Sequence, residues 1–433
     1  MDASNIPPEQ RESFFARKGF YVSCNHALEV LGCRSFQALL KVGNYFMGYR
    51  MPQYLEGPGK IRELGDFLRE KNINDVLVVT GSGMVRRGQV EPMLEGFRKA
   101  GIRYHVVPFD HPDPSSLDVE AGFAAYKAQG CKAIVALGGG SRIDCAKAIA
   151  AKVAHPNKSV SQLQGLLKVH KPIVPFVAIP TTAGAGSETT VAAVITDADT
   201  HRKAAINDPF LIPKYAVLDP ELTVGLPPFT TATTGMDALA HAVEAYANHT
   251  YNTKLENELA KEAVRLIHDN LYTAFEQGKN LEARQNMQRA AFYAGRAFTR
   301  GCVGYVHAIG HTLGGLYGVS HGLAMAVLLP KVMEAYGPAA QKRLAELAQV
   351  CGIPGNTQEE LAEGFLSWIE QTNEKMDIPK GFDMIWDQDI DQMITWAKKE
   401  ANPLYPVPAV WGREELRQVI ESLRIKNGSG NVH

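Results

Sequence analysis

The sequence predicts a two-domain protein in which an α/β domain with a parallel sheet precedes an all-helical domain. Between Met51 and about Leu226, short β-branched runs alternate with helical patterns, as expected for a parallel sheet covered by helices on both faces. After Leu226 the β-rich runs give way to helical periodicity. The chain has 433 residues, whereas one hydrophobic core stops growing at about 250 to 300 residues. We therefore divide it into an N-terminal extension (1–48), an α/β domain (49–226), a helical domain (227–425) and a tail (426–433).

The N-terminal extension is amphipathic, and the run ALEVLGCRSFQALLKVGNYF predicts helix over part of its length. Two roles stay open for it: an arm that docks on the main body, or an arm that docks on a second subunit. At the other end of the chain, NGSGNVH predicts a disordered tail.

Five runs in the α/β domain predict strands, and several are too uniformly apolar for a sheet with one solvent face. Helical spacing separates some of them, as in EPMLEGFRKAG, which ends at a glycine, and SSLDVEAGFAAYKAQG. The predicted strands are DVLVVTG (75–81), RYHVVPF (103–109), KAIVALGGG (132–140), IVPFVAIP (173–180) and VAAVITD (191–197).

Long helical patterns dominate the second half of the chain, and no β-rich run follows them except short pieces. They predict an all-helical domain that begins near Leu226. The clearest patterns are TTATTGMDALAHAVEAYA, NELAKEAVRLIHDNLYTAFEQG, ARQNMQRAAFYAGRAF and KRLAELAQVCG.

Charge and composition exclude several classes of partner. Lys plus Arg is 45 against 46 for Asp plus Glu, so there is no net field to recruit nucleic acid or an acidic membrane surface. No window approaches the roughly 18 apolar residues of a membrane span, and the N-terminus lacks the features of a signal peptide. Six scattered cysteines without a CxxC pair fit a reducing compartment. We expect a cytoplasmic protein.

The stretch GYVHAIGHTLGGLYGVSHG (304–322) carries three of the chain's 13 histidines. His307 and His311 are four residues apart and share one helix face, and glycines then separate them from His321 on an element that can fold back. A single histidine of this kind is more often a satisfied core or surface residue. Three together indicate a shared partner.

Upstream, Asp237 and His241 are also four residues apart on a predicted helix, which Thr233 and Thr234 are expected to cap. Together with two of the later imidazoles, they predict a mononuclear site for a divalent metal. Imidazole suits both Zn²⁺ and Fe²⁺, and one carboxylate leaves the site open to an oxygen ligand.

Two further side chains of the same predicted helix compete as metal ligands. Glu244 stays a candidate, whereas His249 lies in ANHTYN, which has the composition of an exposed helix end.

Two turns rich in small residues follow predicted strands. In ALGGGSRIDCAKAIA (136–150), three glycines let the backbone approach a ligand, and the helix that starts near Ser141 offers its N–H groups to a phosphate. In IPTTAGAGSETT (179–190), Thr181 and Thr182 are free to bond ligand oxygens. Each alone is also compatible with a tight strand-to-helix turn. Ligands of open parallel sheets bind along the edge where such turns lie.

The motifs GGGSRIDCAKA, IPTTAGAGSE, GMDALAHAVEAY and VHAIGHTLGGLYGVSHGLAMAVLLP together resemble the iron-containing (group III) alcohol dehydrogenase family. The resemblance runs from about Met51 to beyond Ile353 and leaves the first 48 residues outside it. It implies the dehydroquinate synthase-like fold of that family, with a dinucleotide-binding α/β domain, a helical domain and the active site in the cleft between them.

The resemblance also implies a role for each motif residue. Asp237, His241, His307 and His321 would hold the metal, Fe²⁺ first and Zn²⁺ as the alternative, and His311 would lie beside the site and take part in substrate or nicotinamide contact and proton transfer. The implied cofactor-binding residues are Gly138, Gly139, Gly140 and Ser141 at the pyrophosphate, Asp144 close by, Thr181 and Thr182 at the nicotinamide half, and Lys203.

The turn after the first strand departs from the commonest family pattern. NAD-preferring relatives often carry an aspartate there, whereas this chain reads VVTGSGMVRRG, with Gly81 and Ser82. A carboxylate would repel a 2′-phosphate, but these small residues leave room for one, and Arg86 or Arg87 is available to pair with it. The prediction is NADP(H) in preference to NAD(H). The alternative is a simple turn with solvated arginines.

The predicted function is metal-dependent hydride transfer between NAD(P)(H) and a short-chain alcohol, diol or aldehyde. The alternatives are a metal- and NAD-dependent lyase of the dehydroquinate synthase type, a metallohydrolase and a non-catalytic binder. The hydrolase would have no need for the GGGS turn. The expected partners are a small-molecule substrate and further copies of the chain in a homo-oligomer.

Overall fold

The computed structural model describes residues 24–111, 113–199 and 203–425. The predicted tail (426–433) and the first 23 residues of the extension lie outside the described residues.

The main sheet has six parallel strands in the order β1-β9-β6-β4-β2-β3. The parallel sheet and the helical second half confirm the predicted fold class. The strands of this sheet are β1 (Gln53–Glu56), β2 (Asp75–Gly81), β3 (Arg103–Phe109), β4 (Ala133–Gly138), β6 (Phe176–Pro180) and β9 (Tyr215–Leu218).

The central strands β2, β4 and β6 are buried on both faces, which explains their unbroken apolar runs. Leu77 and Val79 point into one hydrophobic core, while Val76 and Val78 point into the core on the opposite face. Layers of helix cover both cores. These helices are α2 (Leu64–Glu70), α3 (Ser82–Arg86), α4 (Glu91–Ala100), α5 (Ser116–Gln129), α6 (Gly140–Ala154) and α7 (Val160–Leu163).

A second sheet has three strands: β5 (Gly165–Leu166), β7 (Ala192–Thr196) and β8 (Lys203–Asn207). The middle strand, β8, pairs in parallel with β5 and antiparallel with β7. The run 191–197 is therefore a strand as predicted, but it lies outside the parallel sheet. The runs of β1 and β9 span only four residues each, too short for a periodicity signal.

The order of the strands creates a crevice at the carboxyl ends of β2 and β4. The chain continues from β2 to β3 on one side, whereas β6 lies beside β4 on the other side. Such a reversal is where open α/β sheets bind ligands. Gly81 ends β2 and Gly138 ends β4, so the predicted cofactor turns after these two strands border this crevice.

The helical part packs around α8, in which nearly every residue from Thr231 onward is buried. The last strand ends at Leu218 and α8 begins at Pro228, so the proposed division at residue 226 falls between them. Within the described residues, no helix combines the length and apolarity needed to cross a bilayer. The helices are α8 (Pro228–Asn248), α9 (Lys254–Glu276), α10 (Leu281–Gly301), α11 (Tyr305–Tyr317), α12 (His321–Ala335), α13 (Pro338–Val350), α14 (Gln358–Lys375), α15 (Asp387–Ala401) and α16 (Arg413–Ser422).

The described part of the extension is a single helix, α1 (Cys24–Tyr45), which lies on the helical domain. The side-chain amide of Gln37 donates to the carbonyls of Pro403 and Tyr405, in the loop after α15. Arg34 donates to the carbonyl of Pro408 in the same loop. Helix α1 of the extension therefore docks on the main body of its own chain.

Candidate metal and cofactor site

Helix α8 supplies the first two predicted metal ligands. Asp237 and His241 lie one turn apart, both buried, with Asp237 Oδ1 3.8 Å from His241 Nδ1. The helix begins at Pro228, so the expectation that Thr233 and Thr234 cap it is wrong. Their hydroxyls instead donate to carbonyls one turn back inside the helix.

Helices α11 and α12 supply the other two predicted ligands. His307 lies in the first turn of α11, which ends at Gly318 in the left-handed conformation (φ 68°), and His321 is the first residue of α12. A β-carbon at Gly322 would lie 2.4 Å from the carbonyl oxygen of Thr233, so only glycine lets α12 begin against α8. This approach brings His321 to Asp237.

The four predicted ligands converge on one point. One ligand atom from each of Asp237, His241, His307 and His321 lies within 4.8 Å of the others. Asp237 Oδ1 is 3.2 Å from His321 Nε2 and 3.9 Å from His307 Nε2. The side chain of His321 is 44% exposed, whereas the other three are buried. A substrate can therefore reach the group from the side of His321.

The chemistry of this group fits a divalent cation. Asp237 Oδ1, His241 Nδ1 and His307 Nε2 are fully buried and make no hydrogen bond within the part of the chain that the structure describes. Unsatisfied buried polar atoms are costly and rare in folded proteins. Three that face one another, with His321 Nε2 at the open side, form a mixed nitrogen and oxygen donor set of the kind that holds Fe²⁺ or Zn²⁺.

The electrostatics favour the metal-binding protonation states of the three buried ligands, Asp237, His241 and His307. Burial lowers the pKa of His241 to about 3 and places the pKa of His307 well below its ordinary value. Burial opposes ionisation of Asp237, but the nearby His241 and His321 outweigh it and lower the pKa of that carboxyl. Neutral imidazoles and an ionised carboxylate are the forms that coordinate metals.

Glu244, a competing ligand candidate in the sequence, contacts a ligand from behind. Its carboxylate lies 2.5 Å from Nδ1 of His307 and accepts the backbone N–H of Val306 at 2.8 Å. Burial raises the pKa of Glu244 to about 7. A carboxylate in this place fixes the ring orientation of His307 and leaves Nε2 free to face the other ligands. The other competitor, His249, lies at the exposed end of α8.

His311 lies beside the cluster, and its side chain is 44% exposed. Its ring stacks on that of His321 with centroids 5.3 Å apart, and Nδ1 is 2.8 Å from Glu400 Oε1. Partial desolvation of the ring would lower the pKa of His311, but the charge and hydrogen bond of the Glu400 carboxylate outweigh it and raise the pKa. Tyr405 donates its hydroxyl to the same oxygen of Glu400 at 3.1 Å.

Glu400 was not among the residues predicted from the sequence. It lies 89 positions after His311, near the end of α15, in a run without a motif. No local signal could have found it, because only the packing of α11 against α15 makes the pair.

The two turns of small residues meet at the carboxyl edge of the sheet. Gly138 has φ 157°, and Gly139 caps α6 in extended conformation. The backbone N–H of Thr181 donates to the carbonyl of Gly138 at 3.0 Å. A β-carbon at Gly139 would meet only Thr182, at 3.7 Å, so the space above the N-terminus of α6 is open to a ligand.

The second turn also packs against the helical domain. A β-carbon at Gly184 would lie 2.7 Å from the carbonyl of Thr234, one turn before Asp237 on α8. A β-carbon at Gly186 would lie 2.6 Å from the Cα atom of Gly295 on α10. This turn therefore links the open end of α6 to the helix that carries the first two metal ligands.

The remaining predicted cofactor residues lie nearby in different settings. One carboxylate oxygen of Asp144 accepts the backbone N–H of Val194 at 3.0 Å, so the residue ties α6 to β7. Lys203 lies on β8, where its ammonium is 2.9 Å from Asp113. Ser141 lies in the first turn of α6. Cofactor contact by these residues stays a prediction.

Comparisons with known proteins identify the family of this chain. Residues 52–220 match the family model described as iron-containing alcohol dehydrogenase, and residues 231–423 match the C-terminal model of the Fe-containing alcohol dehydrogenase family. The crystal structure of a 1,3-propanediol oxidoreductase superimposes with a TM-score of 0.83 at 34% identity, covering 87% of this chain and 100% of its own.

Two curated relatives are similar to most of this chain. The NAD-dependent methanol dehydrogenase of Bacillus methanolicus is 37% identical over 76% of this chain and 87% of its own. The NADPH-dependent butanol dehydrogenase of Clostridium saccharobutylicum is 35% identical over 75% of this chain and 82% of its own. These matches set the lyase and hydrolase alternatives aside, and the chain belongs to the iron-containing alcohol dehydrogenase family of oxidoreductases.

Proposed function

We propose that this chain transfers hydride reversibly between NADP(H) and a short-chain alcohol, diol or aldehyde, with a divalent cation, Fe²⁺ before Zn²⁺, held by Asp237, His241, His307 and His321. The observation that carries the proposal is the convergence of three buried, unpartnered ligand atoms and His321 beside the two small-residue turns.

The cofactor lies along the carboxyl edge of the sheet. The turn Gly138–Gly140 and Ser141 receive the pyrophosphate at the N-terminus of α6, where backbone N–H groups and the helix dipole favour an anion. Thr181 and Thr182 face the nicotinamide half, because their turn leads from this edge toward α8. The cofactor supplies the hydride chemistry, and the protein sets its distance and orientation.

The proton of the substrate hydroxyl is transferred by His311, which Glu400 holds in place. When the alcohol is oxidised, its carbon gives hydride to the nicotinamide and its hydroxyl gives up a proton, and aldehyde reduction reverses both transfers. His311 is exposed to the cleft and adjoins His321, so it can accept that proton and pass it to solvent. Glu400 and Tyr405 hold the imidazole in place. A cation bound by the four ligands acts as a Lewis acid, which makes the alcohol more acidic and the carbonyl more electrophilic.

Removal of the metal tests the proposed function. We expect protein purified without air to reduce NADP⁺ with short alcohols from methanol to butanol or with 1,3-propanediol, and to lose this activity on chelation. Re-addition of Fe²⁺ or Zn²⁺ to separate samples identifies the productive ion. Full turnover by protein shown to be metal-free, or no turnover with any of these substrates after metal restoration, contradicts the proposal.

The preference for NADP(H) is proposed from the end of β2. Gly81 puts no carboxylate there, and Arg86 on α3 is exposed, although it lies 3.6 Å from Asp110. A relative of this family, the butanol dehydrogenase, is named for NADPH, so the fold accommodates the 2′-phosphate.

The substitution Gly81→Asp is expected to shift preference toward NAD(H). Gly81 is in extended conformation, and a β-carbon there would meet only Arg142, at 3.7 Å, so the fold tolerates a larger residue. The added carboxylate repels the 2′-phosphate, and we expect the ratio of kcat/KM for NADPH over NADH to fall about 10- to 100-fold. Gly81→Asn has the same size without the charge and serves as the control. Equal ratios for both variants would refute the electrostatic explanation.

A further inference from the structure

The outward face of α1 is strongly apolar. Leu28, Leu31, Leu39, Val42 and Phe46 are each between 60% and 80% exposed. Together with Ser35 they recur every three or four residues, so they form one stripe that runs along α1 and includes Phe46, the residue directly after its end. We call these six residues the α1 stripe. Phe36 and Tyr45, also exposed, flank it.

The face of α1 that contacts the protein is the more polar one. Gln37 and Asn44 are buried there, and Gln37 and Arg34 hold the helix by hydrogen bonds to backbone carbonyls. An amphipathic helix of a monomer buries its apolar face and exposes its polar face. In α1, Cys33 is buried beside the polar Gln37 and Asn44, whereas the large apolar side chains of the stripe face outward. Within the described residues nothing covers the stripe.

The size of the stripe is that of a protein interface. Its large side chains and the two flanking aromatics expose roughly 800 Å², which is about what one partner buries in a standard interface. Monomers rarely expose contiguous apolar patches of more than a few hundred Å².

The chemistry of the stripe favours a protein partner over a lipid surface. A helix that lies on a membrane carries lysines and arginines beside its apolar face. In α1, Glu29 pairs with Lys398 and Arg34 bonds to Pro408, which leaves Lys41 as the exposed charged side chain of its described residues.

We propose that the α1 stripe binds the α1 stripe of a second copy of this chain, in an antiparallel pair around a two-fold axis. The spacing of the stripe reads nearly the same in both directions from its middle, so in such a pair Leu28 faces Phe46 and Leu31 faces Val42. Ser35 and Leu39 meet at the centre, and Gly32 and Gly43 let the backbones approach. An uncharged stripe brings no like charges together.

The pair is an addition to the family fold. The family match begins at residue 52, and the propanediol oxidoreductase structure is covered completely while 13% of this chain stays outside the match. The interface therefore does not depend on the proposed catalytic function.

The double substitution Leu31→Glu/Leu39→Glu in the full chain tests the proposal. Sedimentation and light scattering are expected to show that this double variant has half the number of copies per particle, because four carboxylates would be buried within the apolar contact of the pair. Lys41→Glu, on the same helix but off the stripe, is the control and keeps the wild-type mass. Circular dichroism checks that both variants are folded. An unchanged mass for the double variant overturns the proposal.

Cross-linking distinguishes the proposed pair from other occupants of the stripe. Ser35→Cys is expected to give covalent dimers with a short bis-maleimide, whereas Lys41→Cys is expected to give none above the background of the native cysteines. Deletion of residues 1–23 should leave the number of copies per particle unchanged. A rise in the number of copies per particle on that deletion would show that this segment covers the stripe within one chain, and binding of the protein to phospholipid vesicles through the stripe would show a lipid partner. Either result overturns the proposal.

Discussion

Substitution of Asp237 by asparagine is expected to remove the bound metal and to lower kcat/KM for alcohol oxidation by about 1,000-fold or more. Asp237 Oδ1 is the anionic atom among the four converging ligand atoms, and it lies closest to His321. An amide of the same size cannot supply that charge, and the loss of Lewis-acid chemistry is worth several kcal/mol in the transition state. Metal content per chain, measured by mass spectrometry, and steady-state kinetics check the two effects separately.

The control for this experiment is His249→Gln on the same helix. His249 ends α8 at an exposed position and is not among the converging ligands. We expect wild-type metal content and activity for this variant. If Asp237→Asn retained stoichiometric metal, the assignment of the ligand set would be wrong whatever happened to its activity.

Alanine at Gly139 is expected to weaken NADPH binding about 10- to 100-fold, a loss of roughly 1.4 to 2.8 kcal/mol, without lowering the stability of the fold. The residue has φ −72° and ψ −178°, which any L-residue adopts, and the added methyl group meets only Thr182 at ordinary contact distance. The methyl group would, however, occupy the space above the N-terminus of α6 where the pyrophosphate is proposed to lie. Nicotinamide fluorescence measures the affinity, and thermal unfolding measures the stability.

Alanine substitutions at two other glycines serve as comparisons for Gly139→Ala. Gly225→Ala, at an exposed position with no atom within 4 Å of its β-carbon, should change neither quantity. Gly140→Ala would place its β-carbon 2.9 Å from that of Ala185 and should lower stability, so it cannot isolate the effect on the cofactor. Wild-type affinity in Gly139→Ala would place the pyrophosphate elsewhere.

Much of the fold and most of the candidate site were predictable because their signals are local. The central strand β2 and the edge strand β3 match their predicted bounds, since β-branched and apolar runs bounded by turn residues mark strands of a parallel sheet. The Asp237–His241 and His307–His311 pairs could be placed on helix faces by their spacing of four. That the four ligands converge is a tertiary fact, which the family resemblance implied and the structure describes.

The features that escaped the sequence depend on contacts between distant segments. Glu400 reaches His311 only because α15 packs against α11, and the direction in which α1 presents its apolar residues is set by hydrogen bonds to the loop after α15. The strand at 191–197 looked like its parallel neighbours, but its pairing with β8 across a short connection makes it antiparallel. Local patterns report propensity, whereas pairing partners follow from topology.

The loop after α15 contacts both helix α1 and the side chain that holds His311. Its Tyr405 accepts a hydrogen bond from Gln37 of α1 through the backbone carbonyl and donates one to Glu400 through the hydroxyl, and Glu400 in turn holds His311. A change in the position of α1 is therefore transmitted to the imidazole of His311 through these three hydrogen bonds. Because such coupling is reciprocal, a ligand that fixes the position of His311 also stabilises the docked position of α1. Because dilution dissociates the proposed pair of α1 stripes, the catalytic rate per chain should change with protein concentration.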